Sequence, residues 1–173
     1  EEGVGLPHDN CIDVYTQDIG LLAVVEAGQL VGYNVLVGGG LGNSPSVKET
    51  FPRLGDPMAF VPYAEVLRVA TAIVEVQRDF GDRENRRRAR MKYLVDEWGV
   101  DRFKTKVEQY LDGETLDDPR PVTVHGIDDH LGWHPQGDGK FYFGLYVENG
   151  RIKDEGGFRM KTGLWNQIGR AHV

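Results

Sequence analysis

The residues best equipped for chemistry lie in the stretch GDRENRRRARMKY, where Arg83, Arg86, Arg87, Arg88, Arg90 and Lys92 place six positive charges within ten residues. Only Asp82 and Glu84 oppose them locally, although the chain as a whole carries a formal charge of -7. On a helix, Arg83, Arg86, Arg87 and Arg90 would fall at i, i+3, i+4 and i+7 and share one face, with Arg88 and Lys92 on another. Positive charges near a helix N-terminus oppose the macrodipole. An external anion would relieve that conflict, and arginine in particular suits planar, bidentate acceptors such as carboxylates and phosphates. The alternative is a solvated helix face screened by water and salt.

A second candidate is backbone rather than side chain. Gly38, Gly39, Gly40 and Gly42 end an apolar run as VGGGLG, and such a turn would offer N–H groups to a bulky or anionic ligand without obstruction. It is not a dinucleotide fingerprint, because a Pro45-containing loop follows where a helix would be required; an ordinary strand-to-loop transition explains it equally well. Lys48 and Arg53 add charge to that loop. His125, His130 and His134 near Asp128 and Asp129 read as loop histidines, since zinc sites pair their ligands more tightly. The one cysteine, Cys11, excludes an internal disulfide and any multi-cysteine metal or cluster site built from this chain alone. It points to a reducing compartment and, at the head of an apolar run, reads as a small buried side chain. No Ser-His-Asp arrangement or catalytic carboxylate pair is present.

The elements that must position these groups follow from pattern. With 173 residues, 40% hydrophobic and 27% charged, the chain is globular rather than disordered and fits one domain or two small pieces. Its acidic balance argues against nucleic-acid and anionic-membrane partners, and no apolar stretch approaches the ~20 residues of a membrane helix. The opening EEGVGLPHDN lacks signal-peptide features and an initiator Met, and reads as a cut from within a longer chain. From Cys11 to Val37 two or three antiparallel strands are expected, with turns at Gly20 and at Ala27-Gly28. An irregular loop follows through Pro45, Pro52 and Pro57. Pro62 opens a helix over YAEVLRVATAIVEVQRDF, with Val66, Val69, Ala70, Ile73, Val74 and Val76 or Gln77 facing the core and Gly81 as its stop. A second helix is expected from Asp82 to Gly99, and a third from an Asp101 N-cap to Leu111. The acidic stretch 112–120, DGETLDDPR, marks a boundary between a first domain, 1–112, and a second, 113–167. The second holds the strand-like runs PVTVHG, KFYFGLYV and GRIKD, and a helix starting near Thr162. The final hexapeptide, Ile168 to Val173, matches one reading frame of a common sequencing adapter and is read as an artefact.

Several stretches together resemble the sirohaem-containing assimilatory sulfite and nitrite reductases: NCIDVYTQDIG, LVGYNVLVGGGLG, KETFPRLGDPMAFVP, VQRDFGDRENRRRARMKYLVDEWGVDRFKTKVEQYL and HLGWHPQGDGKFYFGLYVENGRI. They follow the family's order to about Lys161, and the last is more similar to the ferredoxin-linked sulfite reductases than to nitrite reductases. The resemblance implies an α+β fold: a mixed sheet with packed helices from the first sirohaem-binding half, then the start of a ferredoxin-like half domain. It implies a cytoplasmic oxidoreductase performing the six-electron reduction of sulfite to sulfide with sirohaem and a four-iron four-sulfur cluster. Ferredoxin or an NADPH-linked flavoprotein would donate the electrons. The alternatives are a ferredoxin-dependent nitrite reductase and, less favoured, a non-catalytic anion or nucleic-acid binding module. Sirohaem carries many carboxylates, so the resemblance assigns its contacts to Arg83, Arg86, Arg87 and Arg90, with Arg90 foremost, to the backbone of Gly38, Gly39 and Gly40, and more weakly to Lys48 and Arg53. The family's cluster cysteines lie downstream of these residues, and Cys11 corresponds to none of them. Most substrate-holding basic residues lie upstream, so no catalytic residue is assigned and the chain alone is expected to be inactive.

Overall fold

A computed structural model of the chain describes residues 1–168. Alternation of side chains along the first apolar runs sets the sheet. β1 (Glu2–Gly5), β2 (Ile19–Glu26), β3 (Gln29–Val37) and β4 (Asp56–Pro62) lie in the order β1-β2-β3-β4. β1 is parallel to β2, while β2–β3 and β3–β4 are antiparallel, so the sheet is mixed as the resemblance implied. Ala27 and Gly28, with φ of 49° and 77°, close the β2–β3 hairpin in the left-handed conformation that a two-residue turn needs. Gly20, expected at a turn, instead lies inside β2 opposite Leu36. A Cβ there would strike the Val14 carbonyl, because the short helical turn Val14–Thr16 packs against that point.

β4 is a second departure, since the sequence reading ran the loop to Pro57 and put no strand before Pro62. Pro57 and Pro62 bracket Met58, Ala59, Phe60 and Val61, and all four are buried. The N–H groups that the two prolines lack are not missed because β4 is the last strand of its sheet.

α1 (Val66–Phe80) follows Pro62 through a single 3-10 turn and stops at Gly81, whose N–H donates to the Gln77 carbonyl at 2.9 Å. Its buried residues are Val69, Ala72, Ile73 and Val76; Val74, expected in the core, is half exposed. α2 (Met91–Trp98) and α3 (Val100–Tyr110) are separated by Gly99 alone, at φ 76°. Gly99 rather than Asp101 takes the N-cap of α3, and Asp101 sits in its first turn, where a carboxylate complements the helix dipole.

The helix expected from Asp82 does not form before Met91. Asp82 Oδ1 accepts the N–H groups of Glu84 and Asn85, and Asn85 Oδ1 accepts that of Arg87. Such local side-chain bonds compete with helical hydrogen bonding. Arg86–Arg88 are left as one 3-10 turn, and Arg90 is extended.

Ile19, Val35, Val37, Met58 and Val61 face α1–α3 and pack on Val69, Ile73, Val76, Leu94, Val95, Phe103 and Val107. The opposite face carries Leu22 and Leu36, packed with Val14, Val122 and Val124. Buried Asn34 clamps the backbone of Arg120, donating from Nδ2 to its carbonyl at 2.7 Å and accepting its N–H at 2.9 Å. The Phe60 N–H donates to Asp117 O at 2.9 Å. The acidic stretch therefore runs back over the sheet, and residues 1–128 form one compact unit. The PVTVHG run covers this sheet instead of forming a strand.

The second unit begins at Asp129. It holds the hairpin β5 (Gly132–Pro135) and β6 (Phe141–Gly144), the short pair β7 (Asp154–Glu155) and β8 (Phe158–Arg159), and α4 (Met160–Ile168). α4 starts two residues before the expected Thr162. Apart from Ile168, the adapter-like hexapeptide lies outside the described residues. Among the described residues no helix is long and apolar enough to cross a membrane.

One surface tie joins α1 to α3. Asp79 accepts from Arg78 Nε at 2.7 Å and Nη2 at 2.9 Å and from the Tyr110 hydroxyl at 2.7 Å; the Arg78 bond first, then that of Tyr110, hold its carboxyl down to about 2 from an ordinary 3.8. A depressed carboxyl stabilises the fold above its unfolded value and loses that contribution as pH falls through the folded one. The melting temperature should therefore drop more steeply from pH 4 to pH 2 in the wild type than in Asp79→Asn, with the two curves meeting only below pH 2. Parallel curves through that window would refute the tie.

Candidate functional site

The turn after β3 is where the candidate groups meet. Gly38, Gly39 and Gly40 are buried. Their N–H groups donate to the carbonyls of Asp18 (3.0 Å), Gln17 (3.1 Å) and Arg53 (2.8 Å). The expectation of open N–H donors is corrected here: the backbone entering β2 uses those of Gly38 and Gly39, and Arg53 at the far end of the loop uses that of Gly40. Glycine is needed for closeness instead. A Cβ on Gly39 would lie 2.5 Å from the Gln17 carbonyl oxygen and nearer still to that of Tyr15; one on Gly38 would lie 2.8 Å from Val95 Cβ; one on Gly40 would touch the Arg90 guanidinium at 3.0 Å.

Arg90 precedes α2 and lies over this turn. Its Nε and Nη2 grip Asp18 Oδ1 and Oδ2 at 3.3 and 2.9 Å, and Nη2 also reaches Glu1 Oε2 at 3.2 Å. The Asp18 bonds raise its pKa further, so it is always charged. The guanidinium face lies over Gly40 with Nη1 nearest Gly42, and Nη1 has no hydrogen-bond acceptor among the described residues. The carboxylate fork thus fixes the plane of the guanidinium and leaves one edge for an outside acceptor.

Arg53 is at the far end of the loop, paired through its backbone with Gly40. Its Nη1 donates to the carbonyls of Gly38 and Leu54, both at 3.1 Å, and Nη2 to Asp56 at 2.5 Å, with Asp96 3.5 Å from Nε. Arg53 therefore ties the loop to the sheet and already has carboxylate partners. Arg83 donates to the Arg78 carbonyl at 3.3 Å, and Arg86 and Arg87 are exposed on their 3-10 turn. Among the described residues no hydrogen bond or ion pair joins these three to the glycine turn, and the shared helix face expected for them with Arg90 does not exist. Arg88 lies over the Tyr93 ring at 5.5 Å. Lys48 is exposed on the loop.

Lys92, one of the six charges of the cluster, is a partner of this turn that charge pattern alone does not reveal. It is fully buried, and its Nζ donates to the carbonyls of Gly40 (3.1 Å), Gly42 (2.7 Å) and Phe51 (2.6 Å). Burial first, and the Arg90 charge second, lower its pKa, with Asp18 opposing. The sequence signal that could have found it is the apolar context of Met91, Tyr93, Leu94 and Val95, which makes Lys92 part of a buried run.

The remaining candidates lie elsewhere. Cys11, expected to be buried, is exposed, and desolvation and the Asp9 carboxylate raise its pKa, so its thiolate is disfavoured. His125 is within hydrogen-bond distance of the Thr123 carbonyl, in the first unit. In the second, His134 stacks on Tyr142 with ring centroids 5.1 Å apart, and His130 meets His134 edge-on.

The family described as "Nitrite and sulphite reductase 4Fe-4S domain" matches residues 3–114. Over 168 residues the chain is 47% identical to a protein named "Sulfite reductase [ferredoxin]" from Synechococcus elongatus, covering 96% of this chain and 27% of that one. Over 169 residues it is 43% identical to a "Sulfite reductase [NADPH] hemoprotein beta-component" from Shewanella sp. (strain W3-18-1), covering 98% and 30% respectively. Among solved structures, Mycobacterium tuberculosis NirA protein superposes with a TM-score of 0.63 at 32% identity, covering 76% of this chain and 23% of that one. The chain spans less than a third of the length of these relatives. Residues 3–114, which hold the glycine turn and the whole arginine cluster, place the chain in the nitrite and sulphite reductase 4Fe-4S domain family.

Proposed function

We propose that this chain is part of an assimilatory sulfite reductase and contributes one wall of its sirohaem site. The observation that carries this reading is the Arg90 guanidinium, locked by Asp18 on one edge and presenting Nη1 over the glycine turn on the other. A carboxylate-rich macrocycle fits that arrangement: Arg90 takes one acid group, and the close-packed turn of Gly38, Gly39 and Gly40 seats the guanidinium that meets it. Arg83, Arg86 and Arg87 take further acid groups from their exposed loop, and Arg53 contributes by holding the loop's far end. When bound, sirohaem supplies the electron-transfer chemistry; the residues present here bind and orient it. The four-iron four-sulfur cluster does not fit this chain, which has one cysteine where such a cluster takes four thiolates. Its ligands belong to the rest of a longer polypeptide.

Sulfite is favoured over nitrite by the relatives' names, and ferredoxin or an NADPH-linked protein is the donor class those names give. The single unpaired cysteine suits a reducing cytoplasm. The end of the family match at residue 114 supports a family-domain boundary near 112/113, with a ferredoxin-like half beginning beyond it.

The test is reconstitution of two proteins with sirohaem: the 173-residue chain and the intact polypeptide that contains it. The intact protein should take up haem stoichiometrically and reduce sulfite in preference to nitrite, while the chain alone reduces neither. Turnover by the chain alone, or an intact protein without haem, would overturn the reading.

A further inference from the structure

We propose that Lys92 is a positioning residue: its buried ammonium closes the loop from Gly40 to Phe51 by holding three carbonyls, and so sets where Gly40 and Arg90 meet an anionic ligand. This deepens the sirohaem reading and rests on it for the identity of the ligand.

Buried lysines are rare and are normally paired with a carboxylate. Lys92 has no exposed surface, and among the described residues no carboxylate lies within ion-pairing distance of it. An ammonium has three N–H donors, and here each has a carbonyl acceptor, at Gly40, Gly42 and Phe51. A neutral amine would leave one carbonyl unserved, so the geometry favours the charged form. The Tyr93 ring, 5.1 Å from Nζ, adds attraction for a cation.

The loop needs such a clasp. Residues 41–50 are largely exposed, and their internal bonds centre on Thr50, which accepts the Ser44 N–H at 2.9 Å and donates to the Val47 carbonyl at 2.9 Å. The base is closed by the reciprocal backbone pair of Gly40 and Arg53, at 2.8 and 2.9 Å, and by Lys92. Phe51 then packs edge-on against Tyr93, centroids 5.3 Å apart. Lys92 and Arg90 are two residues apart at the start of α2, one reaching under the loop and the other lying over the turn. Gly40 touches both: its carbonyl accepts from Lys92, and its Cα lies beneath the Arg90 guanidinium. Releasing the carbonyl would therefore shift the floor on which the guanidinium rests.

The intact reductase should be compared with its Lys92→Met and Lys92→Gln variants by two readouts: the rate of tryptic nicking at exposed Lys48, relative to nicking at Arg86 and Arg87, and the rate of sirohaem loss to a haem-scavenging protein. Lys92→Met keeps the volume and removes every donor, and both rates should rise about tenfold. Lys92→Gln keeps two donors and should fall between, the partial rescue that a mere packing role would not show. Unchanged nicking at Lys48 in both variants would overturn the clasp. Faster nicking with unchanged haem loss would overturn the positioning role while leaving the sirohaem assignment intact. A wild type without haem would sink the functional reading alone, and the nicking rates would still decide the clasp. Should Lys92→Met fail to fold, Lys92→Gln carries both readouts.

Discussion

Gly39→Ala is expected to lower stability by about 3 kcal/mol and to leave much of the protein insoluble. The added Cβ would meet carbonyl oxygens of Tyr15 and Gln17 and the carbonyl carbon of Thr16, all backbone atoms. A flexible side chain could swing away, but a backbone segment moves only with its neighbours. These neighbours are committed: the Gln17 carbonyl accepts the Gly39 N–H, and the Tyr15 carbonyl accepts the Gly55 N–H at 2.7 Å. Relieving the clash would break both bonds and part the glycine turn from the strand that feeds Asp18 to Arg90. Gly28→Ala provides the control. Its φ of 77° disfavours a side chain, yet nothing lies within 4 Å of the new Cβ, so its cost should stay near 1 kcal/mol. Urea unfolding of the two variants should separate them by more than twofold; equal midpoints would show that the turn can open without loss.

How far the sequence foretells this site depends on the kind of force involved. The Ala27-Gly28 hairpin and the start and stop of α1 were legible because Gly28, Pro62 and Gly81 act locally, through their own φ preferences and missing groups. The mixed sheet was implied by the family resemblance, but β1 was not, since EGVG is only four residues and gains strand form by pairing with Ile19–Leu22. β4 was hidden by its two prolines, harmless only because of a place at the sheet edge that no local rule reveals. The arginine cluster shows the same limit at the site itself. Its charge was plain, but the helical spacing that would gather Arg83, Arg86, Arg87 and Arg90 on one face fails to form, because Asp82 and Asn85 bond to the backbone first. What gathers the site is long-range: Asp18 lies 72 residues from Arg90 and Gly40 lies 52 from Lys92. Such pairs leave no periodic trace in a single chain.

That long-range pairing makes Arg90 the side chain whose loss should most weaken sirohaem binding. In Arg90→Leu the guanidinium is lost, and with it the side-chain partner of Asp18. The Asp18 side chain is only 16% exposed and would keep its negative charge beside an anionic ligand without the guanidinium that masks it. A hydrogen bond involving a charged group is worth about 1.5–3 kcal/mol, so the lost contact and the unmasked carboxylate together should weaken haem binding by roughly two to three orders of magnitude. The double variant Arg90→Leu/Asp18→Asn separates the two causes. Neutralising Asp18 removes the repulsion but cannot restore the donor, so it should recover about tenfold and no more. Asp18→Asn alone keeps the donor and loosens its plane, a smaller effect still. If haem titration of the intact reductase found Arg90→Leu as tight as wild type, Arg90 would be an ion pair that fastens β2 to α2. The ligand's acid groups would then have to be held by Arg83, Arg86 and Arg87. If the double variant recovered fully, the guanidinium would act only by masking Asp18, and its Nη1 edge would have no ligand at all.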